Sequence, residues 1–150
     1  MSSAASDVYK RQSYKRFKAG TFAPTKAIWS IDNRTAGYRV VAENSQNIRV
    51  ECRVGGSDLN PYLALASQLA AGLKGIEDNL TLEAEFTGDA YQADAARSIP
   101  ASLRDATVAL DQSKMLRAAM GDAVVDHYVR AARWEQEDFD AKVTYYEVRR

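Results

Sequence analysis

The seven residues Ile48-Arg49-Val50-Glu51-Cys52-Arg53-Val54 constrain this chain more than any other stretch. Charged and apolar residues alternate with a period of two, which a strand satisfies and a helix does not. In a strand, Arg49, Glu51 and Arg53 leave one face, while Ile48, Val50, Cys52 and Val54 leave the other, toward a core. Two guanidiniums flanking a carboxylate suit a pair of anions with a metal between them. Arginine presents forked donors to carboxylate or phosphate. Glutamate presents a hard oxygen to magnesium, which is usually held by one or two carboxylates plus phosphates. The competing reading is an exposed strand with a cross-strand salt ladder, worth little energetically.

The surroundings extend the pattern. Residues 27–31, 37–42 and 48–54 read as three strands, separated by the turn pairs Asp32-Asn33 and Asn44-Ser45 and closed by Gly55-Gly56. The last two read as an antiparallel hairpin within a small antiparallel sheet. Arg39 shares the face of Arg49 and Glu51 only if the hairpin loop has an odd residue count, for instance Glu43-Asn44-Ser45. Arg16 precedes the first strand and Arg34 sits in the first turn. Five arginines around one carboxylate repel one another unless anions sit among them. A nucleoside triphosphate with a carboxylate substrate is such a set.

The remainder reads as helical, so the fold class is α+β: a small sheet followed by about four helices. Asp58 and Asn60 are candidate N-caps, with Pro61 suited to a first turn. Leu63, Ala66, Leu69, Ala70, Leu73 and Ile76 recur at helical spacing. Residues 78–98 form a long polar excursion, a sign of function or of missing neighbours. Helices follow over 102–110, capped by Ser102, over 112–120, stopped by Gly121, and over 122–143. Cys52 reads as a core thiol, lone His127 as structural, and Trp29 and Trp134 as packing residues. Residues 1–12 read as a non-family tail of the kind adapter read-through leaves, set apart from the domain at 13–150.

Composition narrows the function classes. Twenty Lys and Arg balance twenty Asp and Glu, which removes any global pull toward nucleic acid or an anionic membrane. The single cysteine precludes a disulfide framework and a cysteine-based zinc site. No apolar run is long enough to span a bilayer, and no signal peptide is evident, so a cytoplasmic setting is expected.

Four motifs then carry a resemblance. Ser13-Tyr14-Lys15-Arg16-Phe17, Asp32-Asn33-Arg34-Thr35-Ala36 with Arg39, Arg49-Val50-Glu51-Cys52-Arg53, and Asp58-Leu59-Asn60-Pro61-Tyr62-Leu63 resemble, in order and near spacing, the C-terminal part of the glutamine synthetase catalytic domain. In that family ATP phosphorylates the glutamate side-chain carboxylate and an amine displaces the phosphate. The resemblance implies that Arg16, Arg34 and Arg53 meet glutamate, that Arg34, Arg39 and Arg49 meet ATP, and that Arg34 acts at the transferred phosphate. It implies that Glu51 ligates magnesium or manganese. It also implies a larger curved sheet and a homo-oligomeric ring for the parent enzyme.

The chain departs from the family pattern in three places. Ammonia-using members carry a glutamate two residues before the proline of the flap loop; here Phe22 stands before Ala23 and Pro24. An aromatic ring cannot transfer a proton, and the segment resembles the gamma-glutamylpolyamine synthetase branch, which implies an amine acceptor. The alternatives are an ammonia-using synthetase and a non-catalytic anion-binding or assembly module. The hairpin loop is about one residue shorter and lacks the family's ATP-contacting lysine, Gln46 lying nearest. The family's other metal-binding glutamates precede Ser13, so the chain alone is expected to be inactive. Tyr91 lies where some members carry an adenylylated tyrosine, though its surroundings differ.

Overall fold

Three short strands form one sheet in the order β1 (Trp29–Ile31), β2 (Tyr38–Val41), β3 (Arg49–Cys52). The computed structural model describes residues 11–149, so most of the expected tail lies outside the described residues. β2 and β3 are antiparallel, with Arg39 opposite Glu51 and Val40 opposite Val50. Residues 42–48 make the intervening loop, an odd count of seven. That parity sets Arg39 on the face of Glu51.

β1, by contrast, pairs with β2 in parallel, Ser30 beside Arg39, so the sheet is mixed rather than antiparallel. Parallel neighbours usually need a long crossover. Here the overlap is three residues, about 10 Å of strand, which the segment 32–37 can retrace. Gly37 makes the return possible: a Cβ there would lie 2.7 Å from the Lys26 carbonyl oxygen.

The other face of the hairpin is covered only in part. Helix α2 (Pro61–Glu77) reaches it through Gln68, which accepts from the Tyr38 hydroxyl at 3.1 Å and donates to Cys52 Sγ at 3.5 Å. Val50 is 64% and Ile48 57% exposed, and Cys52 is exposed as well. The core thiol expected at Cys52 is therefore a surface thiol, because α2 meets it through the polar Gln68 and leaves the rest of this face open. Only Val54 is buried as expected, against Ile99. Asn60 caps α2, accepting from the Tyr62 and Leu63 amides, with Pro61 at the first position. The outward stripe Tyr62, Leu65, Leu69, Leu73 and Ile76 is exposed. A helix apolar on both sides belongs inside a larger body.

Ser102 caps α3 (Leu103–Asp111) and Ser113 caps α4 (Lys114–Met120). Gly121, at φ +85°, turns the chain into α5 (Asp122–Asp140). Leu103, Ala106 and Leu110 of α3, Leu116 of α4, and Val125, Val129 and Ala132 of α5 make the core, joined by Tyr14 from the single-turn α1 (Arg11–Tyr14). Phe17 packs against this cluster and against Val54 and Ile99. Arg11 also docks, its guanidinium 3.0 Å from the Phe139 ring centroid. Arg117 bolts the three helices together, donating to the carboxylates of Asp111 at 2.6 Å and of Asp122 and Asp126 at 2.8 Å. Arg117, and then Arg133, hold the Asp111 carboxyl below its ordinary range.

A last single turn, α6 (Tyr145–Val148), is absent from the sequence-based expectation. Its signal was present: Thr144 and Glu147 form a capping box. His127 is exposed on α5 against Tyr128, and Trp134 is 67% exposed. No helix among the described residues is long and apolar enough to cross a membrane.

Candidate active site

The hairpin register assembles the charged face. Glu51 Oε2 lies 3.1 Å from Arg39 Nη1 and 3.8 Å from Arg53 Nη1, and Oε1 lies 3.5 Å from Arg49 Nη2. Arg39 is also gripped by Asp32, through Nε at 3.1 Å and through Nη2. Its side chain is 15% exposed, and Asp32 first, then Glu51, holds it more firmly protonated. The trio Arg49, Glu51 and Arg53 therefore does share one face, with Arg39 added from the partner strand.

The five arginines do not all converge on Glu51. Arg16 turns instead to the chain beyond β3, donating to the carbonyls of Val54 and of Gly55, the latter at 3.2 Å. Arg34 is exposed at the turn after β1. The reason is reach: Arg16 leaves a turn pinned beside the helical core by Tyr14 and Phe17, and Arg34 leaves a loop rather than a strand. Two cavities divide the set. One, about 540 Å³, is lined by Arg16, Arg53 and Glu51 together with Thr21, Phe22 and Ala23. The other, about 490 Å³, is lined by Arg34, Arg39 and Asp32 together with Phe22 and Thr35. Arg49 lines neither and is 57% exposed.

Phe22 lines both cavities. It is 59% exposed and sits at φ +56°, a left-handed conformation that costs a bulky residue of order 1–3 kcal/mol. Asp32, at φ +44°, is a second such residue at the site. The strain at Phe22 is held by an Arg53 Nη2 donor to the Phe22 carbonyl at 2.8 Å. The next residue, Ala23, is buried, and its carbonyl accepts from the Tyr91 hydroxyl at 3.0 Å.

Three partners were missed by sequence reasoning. Asp32 was read as a turn residue and is Arg39's principal counter-charge. Asn33 Oδ1 accepts from the amide and hydroxyl of Thr35 at 3.0 and 2.7 Å, an Asx-type turn legible from residue type. Asn33 Nδ2 donates to the Gly88 carbonyl at 2.8 Å, and Thr35 Oγ1 accepts from the Ala90 amide at 2.9 Å. Those contacts join the 32–36 turn to the middle of the long excursion. No local signal announces them, since the partners lie 55 residues apart.

Chemically, both cavities present guanidiniums to anions, and the Glu51 carboxylate lines the first of them. Among the described residues no three His, Cys, Asp or Glu side chains lie close enough together to hold a metal ion. Glu51 lines the first cavity, its carboxylate oxygens facing Arg39, Arg49 and Arg53.

The family model for the glutamine synthetase catalytic domain matches residues 8–150. Gamma-glutamylethanolamide synthetase of Streptomyces coelicolor is 49% identical over 138 residues, which cover 92% of this chain and 29% of that protein. Type-1 glutamine synthetase 2 of Dictyostelium discoideum is 37% identical over 142 residues, covering 92% and 27%. A solved structure of GmaS without ligand superposes with a TM-score of 0.82 at 30% identity, covering 98% of this chain and 34% of that one. The chain thus spans under a third of the length of these curated relatives.

Proposed function

This chain belongs to the glutamine synthetase catalytic-domain family, and from that premise we propose that its protein ligates the side-chain carboxylate of glutamate to a primary amine at the expense of ATP. The observation that carries the acceptor choice is Phe22. An exposed aromatic ring, with no carboxylate of its own, stands where the two arginine-lined cavities adjoin. Such a ring offers apolar surface and a π-face to an alkylammonium. It cannot take the proton that ammonium or an alkylammonium must lose, so what it selects is the alkyl part of the acceptor. The likeness to gamma-glutamylethanolamide synthetase supports the same choice.

The roles divide by cavity. Arg16 and Arg53 hold glutamate in the first. Arg34 and Arg39 take phosphate oxygens in the second, with Arg49 contributing from the end of β3. Arg34 has the freedom to follow the transferred phosphoryl group from ATP to the glutamate carboxylate, and so neutralises charge where it develops. Glu51, which lines the first cavity, would give one oxygen ligand to magnesium or manganese, whose charge would offset that of the phosphates when bound. The remaining metal ligands would come from phosphates, water and residues outside this chain, so the chain by itself is inactive. The exposed stripe of α2 is read as packing surface within a cytoplasmic homo-oligomer.

The test is ATP-dependent gamma-glutamyl amide formation by the whole protein, with ammonia, ethanolamine, isopropylamine and putrescine compared by kcat/KM. The reading expects one amine to exceed ammonia by at least about tenfold, a difference of about 1.4 kcal/mol in transition-state binding. Ammonia as the best acceptor would overturn the acceptor choice. No ATP cleavage with any acceptor would overturn the ligase reading.

A further inference from the structure

Two consecutive carbonyls of the strained loop at Phe22 are held from remote parts of the chain. Arg53 takes the Phe22 carbonyl and Tyr91 takes the Ala23 carbonyl. Arg53 belongs to the charged face. Tyr91 does not; it rises from a single 3₁₀ turn, Ala90–Gln92, started by the Asp89 side chain accepting from the Tyr91 amide at 3.0 Å. That turn is itself fastened to the phosphate side of the site, by the Ala90 amide to Thr35 and by Gly88 to Asn33, on either side of Arg34. One short turn therefore grips both the loop carrying Phe22 and the loop carrying Arg34.

We propose that Tyr91 is a positioning residue for the acceptor amine: its hydroxyl, through the Ala23 carbonyl, sets the distance of Phe22 from the Arg34 cavity. The inference rests on the ligase reading above and adds a specificity determinant to it. The physical need is plain. A bulky residue at positive φ persists only where its surroundings over-determine it. Phe22 is largely exposed, so its own packing does not hold it. The loop is held by its backbone carbonyls and by the buried Ala23 and Pro24 beside it. Without the Tyr91 donor, the Phe22–Ala23 carbonyl pair keeps the Arg53 bond, and that bond comes from a side chain assigned to glutamate. The Phe22 carbonyl and glutamate then compete for one guanidinium.

The test is Tyr91→Phe in the whole protein, with KM measured separately for glutamate, ATP and the best acceptor. A single neutral hydrogen bond corresponds to a change of about three- to tenfold. The acceptor KM is expected to rise by that factor while the KM for ATP stays within about twofold. Thr35→Val, which removes the acceptor for the Ala90 amide, should move the same constant in the same direction, and Thr35→Ser should restore it. Amide exchange of residues 20–25 should quicken in Tyr91→Phe and not in a Tyr146→Phe control, whose ring is 86% exposed. An unchanged acceptor KM with unchanged exchange overturns the proposal, as does an equal loss for all three substrates. If the wild-type protein ligates nothing, the ligase reading fails and the exchange of residues 20–25 alone decides whether Tyr91 holds the loop.

Discussion

Tyr14 links the helical core to the site, and its removal should be felt in both. Tyr14 is 5% exposed, belongs to the buried cluster that holds Leu103, Leu116 and Val129, and meets Phe17 edge-on at 5.9 Å between centroids. Truncating a buried aromatic to alanine costs about 3–5 kcal/mol, of which the edge-on ring pair is about 0.5–1.5 kcal/mol. With a denaturant dependence of about 2–3 kcal/mol per molar urea, Tyr14→Ala should lower the unfolding midpoint by about 1–2 M. Leu116→Ala removes a side chain that is 1% exposed from the same cluster and should cost a comparable 2–5 kcal/mol. The two variants should part company in function. Tyr14 lies two residues before Arg16, whose guanidinium must reach Val54 and Gly55 from a turn whose apolar anchors are Tyr14 and Phe17. A displacement near 1 Å can cost up to about 100-fold in a positioned site. Tyr14→Ala should therefore raise the glutamate KM by roughly tenfold, where Leu116→Ala leaves it within about twofold. Urea unfolding followed by circular dichroism and steady-state kinetics on the whole protein measure both. Equal glutamate KM values in the two variants would refute the idea that the core sets Arg16.

Phe22→Glu should shift acceptor preference toward ammonia, raising the ammonia-to-amine ratio of kcat/KM by at least about tenfold, measured by competition between the two; an unchanged ratio would remove Phe22 from acceptor choice. The Asp111 carboxyl, depressed by Arg117 and then Arg133, should contribute stability that is complete above its ordinary value of 3.8 and lost as pH falls below it. Urea midpoints between pH 6 and pH 2 should fall less steeply for Asp111→Asn than for the wild type, and parallel curves would contradict the assignment.

How much was legible before the structure depended on the range over which each feature is specified. The alternation across Arg49 to Arg53 announced a strand with a charged face, and Asn60-Pro61, Ser102 and Gly121 announced helix ends, because caps and strand faces are set by residues a few positions apart. Arg39 was placed conditionally on loop parity, and the seven-residue loop met the condition. The exposure of Cys52 was misjudged because alternation says which side a residue faces and not what covers that side. The parallel pairing of β1 was missed because turn residues at Asp32-Asn33 suggest reversal, while Gly37 permits an unusually close return past Lys26.

By itself, the amino-acid sequence determined the three strands and the four longer helices, the facing of Arg49, Glu51 and Arg53, and the family. Each follows from local periodicity or from ordered short motifs. Only the tertiary structure decided how the arginines are shared between two cavities, that Asp32 claims Arg39, and that Tyr91 reaches Ala23 across 68 residues. Those pairings depend on where the long excursion returns to the sheet. That return is set by hydrogen bonds from the excursion to β1 and to the 32–36 turn, the Trp29 indole donating to the Glu83 carbonyl and the Ala90 amide to Thr35, and no repeat or spacing along the chain encodes them.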